Sequence, residues 1–130
     1  MSQPATESIE IQGTDSMSCA MQVSLSALDK HAIEVVVLDV QGICDIADAL
    51  VICTSSSSPQ TKAIGDAVVE GLSATGRKPW HIDGLWSDSW VLVDGVDVVI
   101  HIFSPTARAF YALESLWADA PRLETALPAT

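Results

Sequence analysis

No apolar run in this chain of 130 residues approaches the ~20 that a membrane-spanning helix needs, so a membrane is not among the expected partners. Basic residues are scarce: 6 lysines and arginines stand against 17 acids, a formal net charge of −11. Such a balance repels a phosphate backbone, and no basic stripe is there to anchor one, which disfavours DNA or RNA as a direct partner. The three cysteines, Cys19, Cys44 and Cys53, form neither a Cys-x-x-Cys pair nor an even framework, which leaves a disulfide scaffold and a zinc cluster unsupported. Cys53 lies in an apolar, strand-like run and reads as a small core residue. Internal repeats are absent. The start, Met1 to Ser18, is polar and lacks a basic stretch followed by an apolar block, so no secretory signal is expected and the cytoplasm is the expected location.

What the chain does have is enough apolar material for one domain with a real core: 48% hydrophobic against 18% charged residues. Much of it lies between Ser89 and Phe103, which reads as two strands around a hairpin turn at Asp94-Gly95, a pair that tolerates positive φ. Side chains alternate across a strand. Val91 and Val93, with Val98, Ile100 and Ile102 of the returning strand, therefore share one buried face. Trp90, Leu92, Val99, His101 and Phe103 share the other. A sheet open to water on one side should be polar there. This one is apolar on both, so a helix of the same chain or another protein must cover the second face.

The remaining elements follow from periodicity and punctuation. Residues 1–19 read as a disordered tail, and Ala20 to His31 as an amphipathic helix burying Met21, Leu25 and Leu28. Ile33 to Val40 is β-branched and nearly continuous, as in a central strand, and Ala49 to Thr54 reads as a second. Ser58 caps a helix whose first position is Pro59; it buries Ile64, Val68 and Leu72 and ends at Thr75-Gly76. Trp80 to Ile82 is a short strand ahead of the hairpin. Ser104-Pro105 starts a last helix that carries Phe110, Leu113 and Trp117 along one side as far as Ala120, and 121–130 reads as a disordered tail. The expected fold is α/β (α+β): a mixed β-sheet of about five strands with helices packed on it, in one domain over residues 20–120.

Each candidate site has a plain structural reading beside it. The serine run Ser55-Ser56-Ser57-Ser58 before a helix could cradle a phosphate, with Lys62 as the nearby cation, but the glycines and Gly-Lys-Ser/Thr ending of a P-loop are missing and capping suffices. Asp94 and Asp97 flank the hairpin turn at a spacing that does not place two carboxylates on one strand face. His81 and Asp83 could share a face and bind zinc, but no third ligand is evident. His101, among apolar strand residues, is either a histidine with a satisfied core hydrogen bond or part of a surface. Trp, Leu, His and Phe side by side on one sheet face match the composition of a protein-binding hot spot.

Six segments carry a resemblance: Val37-Leu38-Asp39-Val40, Asp48-Ala49-Leu50-Val51-Ile52-Cys53-Thr54, Ala63-Ile64-Gly65-Asp66, Trp90-Val91-Leu92-Val93-Asp94, Asp97-Val98-Val99-Ile100-His101-Ile102-Phe103 and Tyr111-Ala112-Leu113-Glu114-Ser115-Leu116-Trp117. In order and spacing, from about Leu28 to Pro121, they resemble the ribosomal silencing factor family (RsfS, or Iojap-like). The resemblance implies a nucleotidyltransferase-like topology without the paired acids that hold a metal, hence no enzyme and no cofactor. It further implies binding to the large ribosomal subunit through its protein L-fourteen on the intersubunit face, which blocks joining of the small subunit and represses translation when nutrients are scarce. In such a family the exposed part of the hairpin sheet, at the position matching Trp90, forms the docking surface. Two departures stand out: Ser55-Ser56-Ser57-Ser58-Pro59 replaces a Gly-Thr-Ser-basic stretch, and Val96 occupies the place of the family's glycine.

The expected partner-binding residues are thus Trp86, Trp90, Leu92, Asp94, Val99, His101 and Phe103, facing a basic ribosomal protein that an acidic chain attracts. Two rival uses remain open: a nucleotide-binding or nucleotidyltransferase-type enzyme working from the Ser55–Ser58 loop, and a homodimer of the free protein through the same apolar face.

Overall fold

The computed structural model describes residues 16–43, 47–84, 89–112 and 121–123. Among these residues three helices and six strands follow in the order α1 (Ser16–Asp29), β1 (Ile33–Asp39), β2 (Ala49–Thr54), α2 (Ser58–Ala74), β3 (His81–Asp83), β4 (Trp90–Asp94), β5 (Val98–Phe103), α3 (Pro105–Tyr111) and β6 (Arg122–Leu123). They build one mixed sheet, as the sequence led us to expect, with a sixth strand beyond the five expected; the strand order is β3-β4-β5-β2-β1-β6. β2 and β5 pair in parallel at the centre; the other pairs are antiparallel. β6, on a stretch expected to fray, pairs with Val37 and Leu38 and makes β1 the penultimate strand. None of the helices among the described residues is long and apolar enough to cross a membrane.

Parity sorts the sheet into two faces as the alternation predicts. Val37, Ala49, Val51, Cys53, Val91, Val93, Val98, Ile100 and Ile102 form one face and are buried under α1 and α2. α2 contributes Ile64, Val68 and Leu72, all fully buried as expected from their spacing. α1 departs from expectation. It starts at Ser16, inside the supposed tail, and its buried residues are Ser16, Cys19, Ala20, Val23, Ser24 and Ala27, while Leu25 is exposed. The reason is closeness. A Cβ on Gly71 of α2 would lie 2.8 Å from Ser26 Oγ and 3.5 Å from the Val23 backbone, so the helices meet where only small residues fit. A stripe of small side chains is a weak hydrophobic signal, and the eye goes to Met21 and Leu25 instead.

Capping follows the serines, shifted by one residue. Ser57, not Ser58, is the N-cap of α2, its hydroxyl accepting from Gln60 N. Ser104 caps α3 and accepts from Ala107 N, with Pro105 at the first helical position. α3 is shorter than the sequence suggests: Ala112 turns left-handed at φ +48° and closes it, and Phe110, expected to share one side of the helix with Leu113 and Trp117, is 79% exposed. Leu113 and Trp117, the rest of that expected face, lie outside the described residues.

The hairpin turn also differs. Gly95 N donates to Val98 O, and Asp97 N to Gly95 O, so the reversal is centred on Val96-Asp97 rather than on Asp94-Gly95. Val96 sits at φ +78° in a γ-turn of the rarer, strained hand, a conformation unfavourable to a β-branched residue. Asp94 Oδ1 steadies it by accepting from Val96 N. Because Val96 is exposed, its side chain contributes little packing. Val96→Gly should therefore raise stability by about 1 kcal/mol, seen as a melting temperature about 4 °C higher.

Candidate functional site: the second face of the sheet

The second face divides in two. Toward β1 and β2 it is closed: Leu38, Leu50 and Ile52 are buried in a cluster with Phe103 and Ala107 of α3. Toward β3, β4 and the start of β5 it opens. Register places His81 opposite Asp94 and Asp83 opposite Leu92, and in turn Trp90 opposite Phe103, Leu92 opposite His101 and Asp94 opposite Val99, all on this face. Trp90, Leu92, Asp94 and Val99 are half-buried and reach solvent, while His81 and Asp83 are exposed. Trp86 lies outside the described residues.

Two of the expected contact residues are not surface groups. Phe103 is 1% exposed and His101 8%, because α3 lies over that end of β5. They form the floor on which the exposed rings stand. Trp90 lies 5.3 Å from Phe103 and 4.6 Å from Tyr111 between ring centroids, and Phe110 meets Tyr111 edge-on at 5.0 Å. Tyr111, 45% exposed, and Phe110 thus extend the patch beyond the strands. In the sequence Tyr111 stands out only as part of a family-like segment. The signal that could have found it is its distance from the Ser104 cap, nearly two helical turns, which carries it back over the Trp90–Phe103 pair.

α3 is fastened to the sheet by Arg108, whose guanidinium donates to the Glu34 carbonyl and, at 2.9 Å, to Thr54 Oγ1. Gly84, at φ +80°, passes close against β4: a Cβ there would lie 2.2 Å from the Trp90 carbonyl. Trp90 Nε1 donates to His101 Nδ1 at 3.1 Å. Burial holds the His101 imidazolium pKa down at about 4, so the ring is neutral at physiological pH.

The electrostatics of the open half are acidic. Strands β3, β4 and β5 carry Asp83 and Asp94 and neither lysine nor arginine. Asp97, at the hairpin tip, is engaged elsewhere: Arg77 grips it through Nε at 3.0 Å and Nη2 at 2.8 Å, and Ser16 Oγ lies 2.7 Å away. That hydrogen bonding, from Arg77 above all, holds its carboxyl below the usual carboxylate range. Asp94 and Asp97 form no metal pair, and among the described residues no group of three or more His, Cys, Asp or Glu could hold a metal ion.

The serine loop accounts for itself internally. Ser56 N donates to Gln60 Oε1, Ser55 Oγ lies 2.6 Å from Thr61 Oγ1, and Ser57 caps α2. Lys62 turns along the helix to Asp66 at 3.4 Å. The backbone donors of Ser56, Gln60 and Thr61 at this helix start are already taken within the protein.

Comparison with known proteins decides the family. The model of the family described as "Ribosomal silencing factor during starvation" (RsfS) matches residues 14–130. The chain belongs to the RsfS family. Among its relatives, a ribosomal silencing factor RsfS of Halalkalibacterium halodurans is 39% identical over 105 residues, covering 80% of this chain and 90% of that one. One from Bacillus subtilis is 39% identical over 93 residues, covering 72% and 79%. The chloroplastic Iojap protein of Arabidopsis thaliana is 33% identical over 110 residues, covering 85% of this chain but 46% of its own. A crystal structure of a Chromobacterium violaceum protein superposes with a TM-score of 0.75 at 26% identity, covering 88% of this chain and 94% of that one. The RsfS resemblance carried by the segments from Val37 to Trp117 is thereby confirmed.

Proposed function

We propose that this chain is a translation repressor with no chemistry of its own. It docks on the large ribosomal subunit through protein L-fourteen, blocks association with the small subunit, and acts in the cytoplasm when nutrients run short. The observation that carries this reading is the open half of the second sheet face. Trp90, Leu92, Val99, Tyr111 and Phe110 form an apolar and aromatic surface, and Asp83 and Asp94 rim it with negative charge. An aromatic anchor with an acidic rim suits a basic protein rather than a nucleic acid, since the same charges repel phosphates. Relatives named as ribosomal silencing factors support the same direction. The enzyme alternative draws no support from the serine loop, where Ser57 caps α2 and Ser55 bonds Thr61.

Sedimentation of the purified protein with isolated large subunits, small subunits and intact 70S-type ribosomes tests the proposal. Co-migration with large subunits alone, and a shift of mixed subunits toward the free forms, is the expected result. Co-migration with neither subunit would end it. A second copy of the chain is the competing occupant of the face, and a dimer at micromolar concentration that persists in the presence of excess large subunits would favour that use instead.

A further inference from the structure

The docking residues differ in how they can act, and His101, like Phe103, cannot act by contact. It is 8% exposed, its backbone lies between Leu92 of β4 and Ile52 of β2, and its ring stacks on Phe103 at 5.9 Å with the planes 9° apart. What it does reach is the indole of Trp90, whose Nε1 donates to its Nδ1 at 3.1 Å. An accepting Nδ1 carries no hydrogen, so the neutral ring keeps its hydrogen on Nε2. A half-exposed tryptophan on a strand has several staggered rotamers open to it. The buried acceptor, together with the Phe103 and Tyr111 rings packed on the indole, selects one of them.

We propose that His101 is a positioning residue for docking: by accepting the Trp90 indole N–H it holds that ring as a preformed anchor for the basic partner. This inference rests on the docking reading above. A ring fixed before encounter loses less freedom on binding than one that must be ordered by the partner, a difference of roughly five- to tenfold in affinity.

The test is affinity for isolated large subunits, read beside the indole N–H resonance of Trp90, which is identified by its disappearance in Trp90→Phe. His101→Leu keeps the bulk and removes the acceptor; His101→Asn places an amide oxygen near the position of Nδ1. The expected result is a loss of about fivefold or more in the leucine variant with a displaced, faster-exchanging indole resonance, and near wild-type values for both in the asparagine variant. In a Trp90→Phe background His101→Leu should then cost nothing further. Replacing Trp90 by benzothienylalanine, which keeps the ring shape without the N–H, should match the leucine variant without touching a buried residue. Wild-type affinity in the leucine and benzothienyl variants, or an equal loss from His101→Leu in the Trp90→Phe background, would overturn the assignment. If the wild-type protein itself fails to bind large subunits, the docking reading falls and the positioning role falls with it, while an unmoved indole resonance in the leucine variant would refute the hydrogen bond alone.

Discussion

Acidifying the protein from pH 7 to pH 4 should remove about 3 kcal/mol of folding stability, largely through His101. In the folded chain its pKa is about 4, against an ordinary 6.5, and burial is the cause. Above pH 6.5 the side chain is neutral both folded and unfolded, and its contribution is fully present. As pH falls through 6.5 the unfolded chain takes up a proton that the buried ring refuses, so stability declines steadily until about pH 4, where the folded ring is protonated too. Protonation of Nδ1 would also remove the acceptor used by Trp90. Asp97 acts in the same direction but lower on the scale: its depressed pKa stabilises the fold above the usual carboxylate range and that stabilisation is lost beneath it. Urea unfolding at pH 7, 6, 5 and 4 reads the slope. His101→Leu should flatten it between 6.5 and 4, whatever its stability at neutral pH. An unchanged slope in that variant would assign the acid sensitivity elsewhere.

Removing the anchor should have the other large effect. Trp90→Ala is expected to weaken binding to the large subunit by about 2 kcal/mol or more, roughly 30-fold, the range of an interface hot spot. Trp90 is the largest ring of the open patch that is also fixed by neighbours: it packs on Phe103 and Tyr111 and is hydrogen-bonded to His101. Val91 and Val93, on the opposite face of the same strand, are fully buried and keep β4 in place without it. The variant should therefore fold, with a circular dichroism spectrum like that of wild type. A folded Trp90→Ala that binds like wild type would remove Trp90 from the interface.

The parts of the fold that were legible in the sequence are those governed by strong, local signals. Strand alternation from Trp90 to Phe103 sorted both faces correctly, and Ile64, Val68 and Leu72 marked the buried side of α2. Serine before proline marked both helix starts to within one residue. The misses arise where packing or pairing overrides a local signal. α1 buries Cys19, Ala20 and Ala27 because it must pass close to Gly71, some 45 residues further on, and no window of sequence contains that requirement. The turn falls at Val96 because the β4–β5 ladder fixes the register, overriding the preference of Asp94-Gly95. The candidate site was legible as a composition and not as a surface. Alternation could assign His101 and Phe103 to the face of Trp90, but only the placement of α3 by Arg108 makes them a floor and brings Tyr111 beside Trp90.

The central claim, that the open half of the sheet is the docking surface, is tested most directly by site-specific photo-crosslinking to isolated large subunits. A benzophenone-bearing residue at Leu92 should give one dominant adduct, with protein L-fourteen, while the same residue at Asp66, exposed on α2 across the sheet, should give little. Dominant crosslinking from Asp66 with none from Leu92, or an adduct at Leu92 only with ribosomal RNA, would contradict the account.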